Sequence, residues 1–317
     1  MAALGLLSIL ARSEALTLVV GHVDHGLRES SAEEARQVAV VAEGLGLAHA
    51  HTRLDLTPGP GLPARAREAR RAALSEQARA HGAGWVVLAH SATDQAETTL
   101  MHLARGCSLE GLGAMPVVDG PWFRPLLTLT RAELRSIAGR LELPFIDDPT
   151  NDDRGALRTW LRHEVLAPLR ARNPELDRAM AGLAEDARDA ESALDRWAAA
   201  SLAALELESA PDRDGDPGSR SRSRSRSESR AWRLKGFHEL PRAVRTRVVR
   251  RLCAEGGVDL SELGRRVTLE IDAAATLVAR AEAGPGGTPK PPPKYWHLHP
   301  KRVVKVSKAG ICVEASN

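Results

Sequence analysis

The segment LTLVVGHVDHGLR, residues 16–28, decides the fold class. Its first part, Leu16 to Val23, is a continuous apolar run rich in β-branched residues that ends at a polar turn. This pattern is typical of a strand buried within a parallel sheet. The same pattern returns in WVVLA, residues 85–89, and helical patterns lie between and after the two runs. Strands that alternate with helices predict an α/β domain with a parallel sheet and crossover helices.

The periodicity around this strand predicts the other elements. A short strand is expected near residues 48–54, and from residue 127 onward the chain becomes mostly helical. The last part combines two helices with short strands and a hairpin turn near Ala309 and Gly310. The predicted helices span residues 1–12, 31–45, 62–81, 93–106, 130–140, 156–171, 174–205, 238–255 and 267–282.

Composition divides the chain into four predicted segments. Residues 1–172 form an α/β domain, residues 173–205 a helical connector, and residues 231–317 a small α+β domain. Between them, residues 206–230 contain the tract SRSRSRSESR, which has no apolar side chain to bury. We expect this stretch to be a flexible linker or surface insertion, with RNA contact by the tract as the alternative.

Bulk composition limits the class of protein. The 317 residues are 43% hydrophobic and 27% charged, and no apolar run is long enough to cross a membrane. No signal peptide is recognisable, and the three cysteines form no CxxC pair, so we expect free thiols in a reducing cytoplasm. The net charge of +3 does not itself indicate nucleic acid. Arginine clusters at residues 65–71, 220–230 and 242–251 would suit phosphate contacts, although solvated helix faces explain each cluster equally well.

Two polar clusters directly follow the predicted buried strands. The first is HVDHGLR, residues 22–28, in which Gly26 permits close approach of the backbone. The second is HSATDQAET, residues 90–98. Ligands of parallel sheets bind beyond the carboxyl ends of the strands, so the two clusters are predicted to converge on one edge. Taken alone, the first cluster could also be a surface turn.

The second cluster pairs two carboxylates on one helix face. Asp94 and Glu97 lie one turn apart, where they could bind a cation, although carboxylates also simply stabilise a helix N-terminus. Beside a nucleotide, Asp94 would suit Mg²⁺, which prefers oxygen ligands. His90 stands at the strand end, where it could touch a nucleotide. Arg105 ends the same helix, so helix capping is the alternative for that residue.

A third polar region combines arginines with a turn. RPLL begins at Arg124, and DDPTN, residues 147–151, contains a turn at Asp148 followed by helix-capping residues. Further along, Arg158 and Arg162 share a helix face at a spacing of four. They have no acidic partner at that spacing, so a bound anion is predicted between them.

Together these strings resemble the lysidine synthetase family of N-type ATP pyrophosphatases, and the resemblance covers residues 1–172 in order. It implies that ATP adenylates O2 of the wobble cytidine in an isoleucine tRNA, tRNA(Ile), with release of pyrophosphate. The amine of free L-lysine then displaces AMP and forms lysidine, which switches codon reading from AUG to AUA. ATP and Mg²⁺ are the implied cofactors. The resemblance also leaves a homodimer open.

The same resemblance assigns site residues by motif match. The catalytic set and the ATP-binding set share His25, and Asp94 is also the expected Mg²⁺ ligand. The catalytic residues are Asp24, His25, Asp94 and Glu97; the ATP-binding residues are His22, His25, Gly26 and His90; the substrate and tRNA residues are Arg67, Arg70, Arg105, Arg124, Asp148, Arg158 and Arg162.

The sequence departs from the family pattern in several places. The phosphate-binding loop SGGxDS does not occur, and MAALGLL resembles the residues that follow that loop. A start codon assigned too late, or a truncated and inactive copy, would explain this. On either account the chain as given is expected to bind ATP poorly. Thr93 stands where the family usually has a second aspartate, Arg71 replaces an aromatic residue and Thr159 an asparagine. Residues 231–317 resemble the family's tRNA acceptor-stem-binding domain only loosely.

The sequence also bears on four other functions. A tRNA thiolase would use cysteine pairs, which are missing, and a GMP synthetase would lack the DDPTN segment with its following arginines. A non-catalytic tRNA-binding remnant remains an alternative of a different class. A plain helical scaffold does not account for polar clusters at two strand ends.

Overall fold

The protein is described by a computed structural model. Its described residues are 2–24, 26, 31–57, 59–143, 157–205, 207–208, 230–261, 263–284, 291–298, 302–307 and 310–315. Within them no helix is long and apolar enough to cross a membrane. The chain divides into two compact units, Met1–Arg188 and Asp189–Asn317.

The first unit alternates helices and strands through its first half and then becomes helical. Its elements in chain order are α1 (Ala2–Ser13), β1 (Val19–Asp24), α2 (Ser31–Gly44), β2 (Ala48–Arg53), α3 (Leu62–Ala80), β3 (Val86–Val87), α4 (Ala92–Ala104), α5 (Leu109–Leu112), β4 (Val118–Asp119), β5 (Trp122–Phe123), α6 (Arg131–Arg140), α7 (Leu157–Trp160), a π-helical segment (Leu161–Leu166) and α8 (Ala167–Arg172). Helix α9 (Leu176–Ala204) begins in this unit and ends in the second.

The parallel pairing predicted from the sequence is confirmed, in two small sheets. Strands β1 and β2 pair in parallel from Val19↔Ala48 to Asp24↔Arg53. Strand β5 pairs in parallel with β3 and antiparallel with β4. The predicted strand at residues 85–89 is only two residues long, and β4 and β5 were not predicted. Two-residue strands are too short to produce a periodic pattern.

Helices cover both faces of the β1–β2 pair. On one face, the Gln77 side chain of α3 donates to the carbonyl of His22 and to the hydroxyl of Thr52. Gly21 lies beneath α3, where an added Cβ would stand 2.6 Å from Oε1 of Gln77. Helix α3 also packs against β3, so one helix supports both strands from which the predicted site clusters follow.

The N-terminus of α4 is set by a capping box. Ser91 accepts from the backbone of Asp94, and the Asp94 carboxylate accepts from the backbone and hydroxyl of Ser91. The helix therefore begins at Ala92, slightly before the predicted start near Thr93. Nearly every residue of its first two turns is buried, which is unusual for a segment that carries two carboxylates.

The helical stretch predicted at residues 156–171 is one continuous run with a wide turn in its middle. Helix α7 passes into the π-helical segment Leu161–Leu166 and then into α8. π-Helical segments are rare in proteins, and those that occur are frequently found at functional sites. Leu161 and Leu166 are buried, which anchors the run in the first unit.

The second unit packs two helices against an antiparallel sheet. Its further elements are β6 (Leu207–Glu208), β7 (Arg230–Trp232), a 3₁₀ turn (Phe237–Glu239), α10 (Arg242–Glu255), α11 (Arg265–Ala283), β8 (Lys294–Leu298), β9 (Arg302–Ser307) and β10 (Gly310–Ala315), with sheet order β6-β7-β10-β9-β8. The predicted hairpin is confirmed by the pairing of Ser307 with Gly310. Strands β6 and β7 pair across the SR-rich tract, most of which lies outside the described residues.

The core of the second unit is apolar and closed. Trp232, Phe237, Leu252, Ile271 and Ile311 are each at most 2% exposed. The structure therefore confirms the predicted fold class: an α/β domain with parallel strands, a helical region and a small α+β unit.

Candidate active site

At the end of β1, a hydrogen bond joins two described residues of the first polar cluster. The Asp24 side chain is 3% exposed, and its Oδ1 accepts from the backbone of Gly26 at 2.7 Å. Gly26 has φ of 65°, and an added Cβ would lie 2.7 Å from the carbonyl oxygen of Leu54. Only glycine suits that position. Within this cluster the geometry gives Asp24 and Gly26 a role in shaping the turn, while His25 lies outside the described residues.

The face of the β1–β2 pair beneath α2 is polar. His22 stacks on His51 with ring centroids 5.7 Å apart, and His49 stacks on His51 at 6.5 Å. A pocket of about 390 Å³ beside them is also lined by Asp24 and Arg53. Burial lowers the pKa of His22, and the neighbouring His51 lowers it further, so the imidazole is neutral near pH 7.

Asp94 lies at the start of α4, between a helix cap and two arginines. Its Oδ2 accepts from Ser91, whose hydroxyl donates at 2.7 Å. Its Oδ1 faces Arg158 at 3.3 Å and Arg131 at 3.5 Å. The carboxylate thus both caps the helix and joins an ionic cluster, which combines the two alternatives raised by the sequence. Arg131 was not predicted as a site residue.

Glu97 is the buried centre of the same cluster. Its side chain is fully buried, and Arg162 reaches it through Nε at 2.6 Å and Nη2 at 3.0 Å. Arg158 donates through Nε at 2.8 Å. The anion predicted between Arg158 and Arg162 is therefore a carboxylate of the protein itself. Sequence spacing could not show this, because the partners lie 61 and 65 residues apart.

Both carboxylates are negatively charged near neutral pH. Burial alone would raise the pKa of Asp94, but hydrogen bonds from Ser91 and the charges of Arg131 and Arg158 outweigh it, and the pKa is lowered. Burial likewise opposes ionisation of Glu97, and hydrogen bonds from Arg162 and Arg158 again lower the pKa. The cluster therefore presents fixed charges of both signs at the end of β3.

His90 connects this cluster to the strand end. Burial lowers its pKa to about 4; the charge of Asp94 opposes the shift, whereas Arg124, Arg70 and Arg158 reinforce it. Its Nδ1 is buried and has no hydrogen-bond partner in the part of the chain that is described. A neutral imidazole with an unsatisfied nitrogen is suited to contact a polar group of a ligand.

This shift predicts a loss of stability in acid. The folded-state pKa of His90 lies below the ordinary 6.5, so below pH 6.5 the unfolded chain binds a proton that the folded chain does not. Because of His90, the unfolding free energy should fall by about 1–2 kcal/mol between pH 7 and pH 5, after allowance for the partial exposure of the side chain. Urea titrations at both pH values should show a smaller acid loss in His90→Asn. An equal loss in His90→Asn, wild type and the exposed-site control His81→Asn would contradict this prediction.

Next to Asp94, the side chains of Thr93 and Asp177 form a hydrogen-bonded pair that was not predicted from the sequence. The Thr93 hydroxyl donates to Oδ2 of Asp177 at 2.8 Å and accepts from the backbone of Arg131 at 3.1 Å. Arg170 donates through Nε to the other Asp177 oxygen at 2.9 Å. Thr93 and Asp177 are each 7% exposed. The only sequence signal was the threonine at a position where the resembled family usually has aspartate.

The remaining predicted arginines are spread over the unit. Arg124 is 3% exposed and donates to the carbonyl of Pro116 at 3.0 Å. On α3, Arg67 is exposed and Arg70 is half-buried near His90. Arg105 ends α4, opposite the end that carries Asp94, and lines a cleft of about 610 Å³ together with Arg188.

The structure therefore joins two of the three predicted regions. Residues of the second cluster, Asp94 and Glu97, meet Arg158 and Arg162 of the third. The first cluster has no described contact with them, although α3 packs against both strands. Asp148 and the rest of DDPTN lie outside the described residues.

The arginine cluster of α10 is largely neutralised within the second unit. Arg245 donates to the buried Asp272 at 2.7 Å, Arg247 pairs with Glu191, and Arg251 pairs with Asp195. These guanidinium groups form ion pairs between helices, so they do not form an open phosphate-binding surface. Most of the 220–230 cluster lies outside the described residues.

Comparison with known proteins connects this geometry to a family. A family model described as a PP-loop domain matches residues 1–169. The tRNA(Ile)-lysidine synthase of Bradyrhizobium diazoefficiens is 38% identical over 290 residues, which cover 88% of this chain and 76% of that protein. The tRNA(Ile)-lysidine synthase of Thermobifida fusca is 35% identical over 257 residues, which cover 80% of this chain and 73% of that protein.

One solved structure, the U34-tRNA thiolase NcsA from Methanococcus maripaludis with its [4Fe-4S] cluster, is a more distant neighbour. It matches with a TM-score of 0.47 and 15% identity, over 58% of this chain and 68% of that one.

Proposed function

Because the chain belongs to the tRNA(Ile)-lysidine synthase family of PP-loop proteins, we propose that it ligates lysine to the wobble cytidine of an isoleucine tRNA at the expense of ATP. The reaction class is a carbon–nitrogen ligation through an adenylated cytidine. Cytoplasm is the compartment that fits a tRNA-modifying enzyme, and a homodimer stays a prediction.

The observation that carries the proposal is the ionic cluster at the start of α4. It offers two carboxylates of lowered pKa, one of them partly accessible, beside a neutral imidazole with an unsatisfied nitrogen. A lysine substrate brings an ammonium group, and a nucleotide brings hydrogen-bonding base edges and phosphates. Both kinds of complementarity are present within one strand-end region.

We assign different tasks to the two carboxylates. The Asp94 side chain is 18% exposed, and its contacts with Arg131 and Arg158 are long, at 3.5 and 3.3 Å. Such loose contacts can yield to a lysine ammonium without unpairing a buried charge. Glu97 is fully buried and tightly held, so its task is to fix Arg158 and Arg162. A carboxylate of lowered pKa is a weak base, so Asp94 is assigned to binding the ammonium.

His90 and the turn after β1 are assigned to the nucleotide. The His90 imidazole is neutral and can donate to or accept from a base edge at its free nitrogen. Asp24 and Gly26 lie at the end of β1, where the glycine lets the backbone approach a ligand closely. His22 and His25 remain predicted nucleotide-binding residues.

The described residues do not form a ready ligand set for magnesium. Asp94 would be a single carboxylate ligand, and no group of three potential metal ligands occurs among the described side chains. Mg²⁺ prefers several oxygen ligands and keeps waters or phosphates around it. No step is therefore assigned to magnesium at Asp94, and that site stays a prediction.

The second unit is proposed to contact the tRNA through the outer face of its sheet. Tyr295 is 53% exposed, and Nζ of Lys305 lies 5.7 Å from the centre of its ring. An exposed aromatic ring beside a cation suits stacking on a base together with a phosphate contact.

The proposal is tested by analysing tRNA nucleosides from cells depleted of the protein. Loss of lysidine on depletion, with return on re-expression of wild type, is the expected result. Re-expressed Asp94→Asn should restore lysidine poorly. In purified enzyme at saturating ATP it should raise KM for lysine about tenfold or more relative to wild type, since one charged contact is lost. Unchanged nucleosides after depletion would instead support the tRNA-binding remnant.

A further inference from the structure

We propose that Thr93, Asp177 and Arg170 form a positioning brace for the ionic cluster at the start of α4, which contains Asp94 and Glu97. The brace rests on the proposed function, because it acts through Asp94 and Glu97. It consists of two buried polar residues, each 7% exposed, and one arginine, joined by hydrogen bonds of 2.8 and 2.9 Å. None of its three members was among the residues predicted from motifs.

The brace joins the first turns of three helices. Thr93 is the second residue of α4, Arg131 the first of α6, and Asp177 the second of α9. The Thr93 hydroxyl donates to Asp177 and accepts from the backbone of Arg131, so one side chain connects all three. The Asp177 carboxylate also lies at a helix N-terminus, where the helix dipole stabilises negative charge.

Each hydrogen bond of the brace holds a segment that carries an arginine in contact with Asp94 or Glu97. The backbone held by Thr93 belongs to Arg131, whose guanidinium faces Asp94 at 3.5 Å. Arg170 lies in the same helical run as Arg158 and Arg162, two turns beyond the latter. Asp177 therefore fixes the far end of the run that carries the two arginines bound to Glu97.

The brace also gives a physical account of threonine at position 93. An aspartate there would place a second carboxylate against Asp177, and two carboxylates in a buried site repel each other. Threonine supplies the donor that Asp177 requires and the acceptor that the Arg131 backbone requires. In this chain the negative charge at the junction is therefore supplied by α9 rather than by α4.

The test compares Thr93→Val, Thr93→Ser, Asp177→Asn and the double variant Thr93→Val/Asp177→Asn. Steady-state kinetics should show KM for lysine raised about five- to tenfold in Thr93→Val and in Asp177→Asn, with little further change in the double variant, because both remove the same bond. Thr93→Ser keeps the hydroxyl and should stay within about twofold of wild type.

Asp272→Asn is the matched control, because it breaks another buried arginine–carboxylate pair, in the second unit. It should lower the melting temperature without changing KM for lysine. Equal melting losses in Asp272→Asn, Thr93→Val and Asp177→Asn, with KM for lysine unchanged in all three, would overturn the brace. Fully additive effects in the double variant would also overturn it.

Hydrogen exchange separates failure of the brace from failure of the proposed function. If the wild-type enzyme forms no lysidine, the proposed function fails, and exchange still measures the brace. Faster amide exchange in residues 157–172 of Thr93→Val and Asp177→Asn, but not of Thr93→Ser, supports the brace. Unchanged exchange in that segment contradicts it.

Discussion

Glu97→Gln is expected to reduce kcat/KM for lysine by about 10²–10³-fold and to lower the unfolding free energy by about 3 kcal/mol. Glu97 is fully buried and accepts hydrogen bonds from two guanidinium groups. Glutamine keeps the shape but removes the charge, so Arg158 and Arg162 lose their counterion. Breaking a buried pair by removing one partner costs far more than an exposed pair is worth.

The loss in activity has a separate physical cause. Without the Glu97 charge, Arg158 is free to turn fully onto Asp94, which it already faces at 3.3 Å. A tighter Arg158–Asp94 pair competes with the lysine ammonium for the same carboxylate. KM for lysine should therefore rise more than kcat falls, which steady-state kinetics at varied lysine concentration would show.

Two further variants distinguish the effect of the buried Glu97 charge on stability from the effect of side-chain packing. Asp195→Asn removes a carboxylate from a half-exposed pair with Arg251 and should cost less than about 1 kcal/mol. Glu97→Met/Arg162→Met replaces a buried pair with apolar groups and should recover part of the stability but none of the activity. Similar stability losses in Glu97→Gln and Asp195→Asn would show that Glu97 is not a buried centre.

The sequence predicted the fold class because long elements carry strong periodic signals. Helices such as α3 and α11, 19 residues each, lie within two residues of their predicted bounds. The strand β3 was predicted too long, since its two residues sit in a longer apolar run. Of the flanking residues, Leu88 still donates its backbone N–H to the carbonyl of Phe123 in β5 at 2.8 Å. Local pattern cannot distinguish a buried strand from a buried loop.

The candidate site was predictable in its members but not in its connections. Asp94 and Glu97 were found because their spacing places them on one helix face. Their partners Arg158 and Arg162 were also found, yet as a site for an external anion, because no local rule joins residues 61 to 65 positions apart. Asp177 gave no signal at all, because a single aspartate in a helix start normally indicates a cap.

Gly310→Ala is expected to destabilise the second unit by about 3–5 kcal/mol. Gly310 has φ of 122°, and an added Cβ would stand 1.9 Å from the carbonyl oxygen of Trp232. That oxygen belongs to the backbone of β7, which pairs with β10 immediately beside the glycine. Neither strand can move aside without disturbing the pairing of Trp232 with Ile311, both of which are buried in the core of the unit.

Gly182→Ala is the control with the opposite sign. Gly182 lies within α9, is exposed, and would bring an added Cβ within 4 Å of nothing. Alanine there should raise stability by about 0.5–1 kcal/mol, because it restricts the unfolded chain and favours helix. Hydrogen exchange resolved by segment should show faster exchange in β9 and β10 for Gly310→Ala and slower exchange in α9 for Gly182→Ala. Unchanged protection of β10 in Gly310→Ala would mean that β7 and β10 do not pair as closely as the structure places them.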